Sequence, residues 1–128
     1  MPRVSLAFFT LAALCGLTGM LWGIHMGATQ DHSMMPAHAH LNLLGWVTLS
    51  IMGGFYVLAG DRVSSRLAWL NFLLSGAGVV IITPMLAQLL GGNTALGPMM
   101  LAPEALVVGG MLVFIYNIVS VWRRPATA

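Results

Sequence analysis

Four apolar runs of 24 or 25 residues constrain this chain more than any other feature: Val4–Gly27, Ala37–Gly60, Arg66–Leu90 and Met99–Trp122. A helix needs about 20 residues to cross a hydrocarbon core roughly 30 Å thick, so each run is long enough to span. Lipid offers the backbone no hydrogen-bond partner, so only helices or closed barrels cross it. Barrel strands alternate polar and apolar residues over about ten positions, whereas these runs are apolar on every side. Only 6% of the 128 residues are charged, against roughly a quarter in soluble domains. The connectors are too short to hold a further domain. The expected fold is all-α and integral to a membrane, a single four-helix transmembrane domain over residues 1–128.

The basic residues orient it. All five are arginine: Arg3 before the first run, Arg62 and Arg66 between the second and third, Arg123 and Arg124 after the fourth. With four crossings these places share one side. The loops 28–36 and 91–98 have none. By the positive-inside rule both termini are expected in the cytoplasm. The opposite loops then face the periplasm of a bacterial inner membrane. The net charge of +2 follows from this topology and makes no case for nucleic acid. The first run is too long for a signal-peptide core and lacks a clear small-x-small cleavage site. Cys15 reads as a buried small residue, and one cysteine forms no internal disulfide.

Three of the four histidines, His32, His38 and His40, lie between Asp31 and Trp46, and His25 ends the first run. All four fall on the expected outer side. Met34 and Met35 adjoin them, and Pro36 suits a helix start, where no backbone donor is needed. His38 and His40 are two residues apart, so at 100° per residue they diverge by about 200° around a helix. They cannot both hold one ion if the helix begins at Pro36. Two ligand classes fit histidines at this depth. Haem takes axial histidines from facing helices across an apolar slot. Copper takes His and Met converging on one point, which here requires the start of the second helix to be unwound. Opposed side chains favour haem b, with copper handling by His25, His32, His38, His40 and the methionines as the alternative. A third reading is a non-catalytic accessory subunit whose histidines are only hydrogen-bonded.

Other polar residues stand within the runs. Gly16, Gly19 and Gly23 form a stripe of small residues that lets another helix approach. Thr83-Pro84 predicts a kink in the third run. Glu104 lies about a turn inside the fourth, at a depth similar to His25 and His40. It reads either as a snorkelling carboxylate or as a partner to a buried histidine or a proton-handling group.

His38-Ala-His40, twelve residues, and then Gly53-Gly-Phe55 within Ile51-Met-Gly-Gly-Phe55 make a recognisable pattern. Over Ala37–Phe55 the chain resembles core helices of subunit I of the haem–copper oxidases. In that family one helix carries His-aromatic-His, followed at this spacing by a similar Ile-Met-Gly-Gly-Phe. Its first histidine binds the high-spin haem and its second the low-spin haem. Another helix carries Ala-His-Ala and Gly-Gly-Phe, and its histidine, the other low-spin ligand, matches His38. The family subunit has twelve helices in three arcs of four. The resemblance therefore implies a one-arc protein that closes as a homotrimer. Each haem would take His38 from one chain and His40 from its neighbour. His25 would be a further ligand or a neighbour of the site. Asn42, Trp46 and Glu104 would surround the haem, with Gln88 or water near its propionates. The further histidines and the tyrosine of the family's copper site have no counterpart. The implied role is electron transfer or redox sensing, with a quinone or redox protein as partner and lipid around it, and not oxygen reduction.

Overall fold

The computed structural model describes residues 1–123; Arg124, counted above among the basic residues, lies outside them. Four helices are long and apolar enough to cross a membrane, and there is no strand among the described residues. The first span is Arg3–Thr29, the second Met35–Arg62, the third Ser65–Leu90. The fourth, Leu101–Arg123, is entered through a 3-10 turn at Thr94–Met99. The first span runs a full turn beyond His25. It stops at Gln30, whose backbone is left-handed (φ 57°) and whose amide donates to the Gly27 carbonyl at 2.6 Å. The third span stays helical through Pro84. Neighbouring turns hold the helix even though proline has no N–H for the Val80 carbonyl.

The second span is composite, which corrects the regular helix expected over 37–60. Met35–His40 is α-helical, Leu41–Thr48 is π-helical, and Leu49–Ala59 is α-helical again before a 3-10 turn at Gly60–Arg62. A π-helix bonds i to i+5 and is usually a single turn, frequently at a functional site. Here it lasts eight residues. The Thr48 hydroxyl follows the same register and donates to the Leu43 carbonyl at 2.7 Å.

The first span packs along the second, the third packs most closely on the fourth, and the third also touches the first two. The fourth span is the least buried. The two ends of the bundle are built differently. At the arginine end an aromatic core closes on Phe8, Tyr56 and Phe114, with Phe55 and Phe72 packed against it. Phe8 stacks on Tyr56 at 5.6 Å and meets Phe72 edge-on at 5.1 Å. At the histidine end the core cluster among the described residues is smaller, Cys15, Leu41 and Val79, and Met26, Ala37, Ile82 and Met100 are also buried toward that end.

A polar network ties the spans together beneath the aromatic core. The Tyr56 hydroxyl donates to Asn71 Oδ1 at 3.0 Å and accepts from Asn117 Nδ2 at 2.8 Å. Asn71 Nδ2 donates to the Gly110 carbonyl at 2.7 Å and to Ser75 Oγ at 3.2 Å. Asn71 and Asn117 are completely buried. In lipid such bonds join helices because a polar group has no water to turn to.

Small residues let the third and fourth spans meet. A Cβ at Gly78 would lie 2.7 Å from Val107 Cγ2 and 3.0 Å from the Val107 backbone nitrogen. The backbone cannot yield as a side chain can. Gly78→Ala is therefore expected to destabilise the bundle by about 1–3 kcal/mol, read as an earlier unfolding midpoint in detergent. An unchanged midpoint would contradict this packing.

Candidate functional site

The first span's glycine stripe receives the start of the second span. A Cβ at Gly23 would lie 3.2 Å from His38 Cε1; one at Gly19 would run into the Asn42 side chain; one at Gly16 would lie 3.0 Å from Trp46 Cγ. His38, Asn42 and Trp46 thus form a row facing three glycines. In an ideal α-helix a row at four-residue steps drifts by about 40° per step. The wider turn of the π segment reduces that drift and keeps the row on one face. Asn42 and Trp46, expected around a haem, lie in this seam between the first two spans. Trp46 also keeps 43% of its surface exposed.

His38 is half-buried in the seam. Trp22 meets its ring edge-on, with centroids 6.3 Å apart. Asn42 Nδ2 donates to the His38 carbonyl at 2.9 Å and lies 3.4 and 3.3 Å from the two ring nitrogens. A donor on one nitrogen's lone pair would be far from the other nitrogen. Two nearly equal distances put the amide over the ring face or beside Cε1, so neither lone pair is engaged along its axis.

His40 is held differently. Its Nδ1 lies 2.8 Å from the Pro36 carbonyl oxygen. An oxygen of this kind only accepts, so Nδ1 carries the hydrogen and Nε2 of the neutral ring is left with a lone pair. Histidines that bind metals typically have this arrangement, with the second nitrogen donating to a carbonyl or carboxylate. Both histidines lie in the α-helical stretch Met35–His40, so the divergence of about 200° applies to them.

The remaining candidates stand apart. His25 and His32 are exposed on the loop side. They flank Asp31, whose carboxyl is held below the usual range chiefly by the Ser33 backbone N–H at 2.9 Å, then by the Ser33 side chain and the two histidines. Glu104 is exposed, and no ion pair or hydrogen bond joins its carboxylate to a histidine among the described residues. Nor do three His, Cys, Asp or Glu side chains converge on a metal-sized point among those residues.

A bis-histidine haem requires two histidines free to reach iron from opposite sides of the macrocycle. His40 meets that requirement with a free Nε2, and His38 has unengaged lone pairs but lies against the first span. Their divergence fits two separate irons and not a shared one. The polar network of Tyr56, Asn71 and Asn117 was not legible as a unit. Each is one polar residue in an apolar run, and Asn71 has no motif around it.

No protein-family model, no curated protein and no solved structure matches the chain.

Proposed function

We propose that the protein is a b-type haem protein of a membrane, holding haem between copies of itself and passing single electrons. The observation that carries this reading is the pair His38 and His40. They stand on one short α-helical stretch and face different ways; His40 Nδ1 is bonded to Pro36 and leaves Nε2 for iron, and Asn42 beside the His38 ring lies along neither lone pair. His40 has the tautomer of a ligand, and its Nε2 serves one iron. His38, whose Cε1 edge lies against Gly23 and whose ring meets Trp22, would have to turn out of the seam to serve another. A haem iron with two histidine ligands carries one electron and has no open position for substrate.

A ring of three copies satisfies both histidines at every interface, as a heterologous contact must when it closes. The least-buried fourth span and the lipid-facing Leu14, Leu17, Leu21 and Ile24 leave ample apolar surface for neighbours and lipid. The arginine distribution supports a topology with both termini in the cytoplasm and the histidine end on the outer side of a bacterial inner membrane.

The test is a spectrum of the purified protein, oxidised and then reduced with dithionite. The expected result is a low-spin b-type spectrum, one haem per chain, and a native mass of three chains. Haem absent after expression in haem-sufficient cells sinks the reading. Stoichiometric copper lost on replacing Met34 and Met35 would favour the copper alternative. A haem-loaded monomer or dimer would exclude the ring.

A further inference from the structure

A cavity of about 650 Å³ opens at the arginine end, between the start of the first span, the turn joining the second to the third, and the first turns of the third. Gly60 ends the second span in a backbone conformation (φ 54°, ψ −133°) that residues with a side chain rarely adopt, and Asp61 follows it onto the cavity wall. The buried Val63 and Ala68 give the cavity an apolar floor, and the exposed Arg3, Asp61 and Ser65 give it a polar mouth. Trp69 also lines it and is 37% exposed. An indole half-open at the end of a span suits the headgroup level, where its ring meets apolar matter and its N–H meets water. Leu73, one turn deeper on the same helix face, is exposed as well.

Arg3 and Asp61 carry opposite charges on this one cavity. Yet no ion pair or hydrogen bond joins either side chain to another group among the described residues. The space between them therefore has a positive end and a negative end. The neighbouring arginines do not fill it. Arg62 turns back, donating Nε to the Ala59 carbonyl and Nη2 to the Leu58 carbonyl, and Arg66 does not line the cavity. The first and third spans both begin here, and neither start is capped by a side chain. Their free N–H groups and dipoles add positive potential beside Arg3 and Ser65.

We propose that this cavity seats the headgroup of a phospholipid bearing a phosphate and a primary ammonium, as in phosphatidylethanolamine. The phosphate accepts from the Arg3 guanidinium and the Ser65 hydroxyl, and the ammonium, two carbons away, donates to the Asp61 carboxylate. A choline headgroup carries the same charges but has no N–H, so it loses the Asp61 bond. A glycerol headgroup brings a net negative charge towards a carboxylate that stays unpaired. The volume is within the usual range for small-ligand sites, roughly 300 to 1,000 Å³. Trp69 then stands beside the glycerol esters and Leu73 along an acyl chain, which favours a lipid over a soluble phosphoester. The cavity is at the opposite end from His38 and His40 and does not depend on the haem reading.

The experiment is native mass spectrometry of the delipidated protein in mild detergent. It is supplied with equimolar phosphatidylethanolamine, phosphatidylcholine and phosphatidylglycerol whose acyl chains match. The first adduct is expected to be phosphatidylethanolamine, about fivefold over phosphatidylcholine, the worth of one exposed charged pair. Asp61→Asn should bring the two level, and Asp61→Glu should restore the preference. Arg3→Gln should weaken both about equally. The Asp61 and Arg3 side chains are exposed and unpaired, so none of these variants should lower the unfolding midpoint. Equal retention of ethanolamine and choline lipids by the parent overturns the proposal, as does a preference that survives Asp61→Asn. Best retention of phosphatidylglycerol would make the site one for anionic lipid and overturns it too. Displacement of the adduct by soluble O-phosphoethanolamine would make the ligand a soluble phosphoester and overturns the assignment to lipid.

Discussion

His40→Ala is expected to abolish the low-spin haem spectrum, and His38→Ala to do the same, because in the proposed ring each would remove one of two axial ligands from every interface. The two losses differ in their side effects. His40 is half-buried and bonds only within its own turn, so its removal should leave the unfolding midpoint near that of the parent. His38 fills the space beside Gly23, so its removal also loosens the seam. Co-expression separates a shared interface from a site within one chain. In a ring where each haem takes His38 from one copy and His40 from the next, random mixing of the two variants restores about a quarter of the interfaces. A haem held within one chain would regain nothing. Absence of any restored spectrum in mixed rings would contradict the interface assignment, and retention of low-spin haem in both single variants would remove His38 and His40 from the site altogether.

Asn71→Leu is expected to produce the largest loss of stability. The side chain accepts from Tyr56 and donates to Gly110 and Ser75, so three bonds disappear together. Interhelical hydrogen bonds in membranes average about 0.6 kcal/mol and reach about 1.7. Leucine also leaves the Tyr56 hydroxyl without its acceptor and places a branched carbon chain beside Ser75. The combined cost should be about 2–4 kcal/mol, measured by titrating the protein from mild detergent into SDS and following helicity. A shift under about 0.5 kcal/mol, the range of an inconsequential surface change, would mean that the network is ornamental to the fold. The haem spectrum should survive in whatever fraction remains folded, since Asn71 is at the opposite end from His38 and His40.

The membrane spans were legible because lipid makes one demand of every residue along a helix. A run of two dozen apolar residues answers it, whatever its neighbours are. The ends moved by a few residues: the first span continues past His25 to Thr29, and the second begins at Met35. The separation of His38 and His40 was also legible, since it needs only two residues of regular helix. The π segment was not. Neither proline nor charge marks Leu41–Thr48, and the close approach of Gly45 within it to Cys15 of the first span is a tertiary contact that no local pattern announces. Asn71 is silent for a similar reason. A lone amide in an apolar run gives no sign of its partners, which come from Tyr56 and Gly110, far away in the chain. Gly16, Gly19 and Gly23 announced a close approach, but not that His38, Asn42 and Trp46 would make it.

The unequal build of the two ends sets the order in which the molecule can come apart. Interlocked rings and the buried amide network fasten the arginine end. The histidine end has one small cluster and a widened helix. Local opening is cheapest where buried contacts are fewest, so the spans can spread at one end while the other holds them in register. The histidine end can therefore open within the bilayer while the chain as a whole stays folded. Insertion into the membrane and local opening at the histidine end are then separable events.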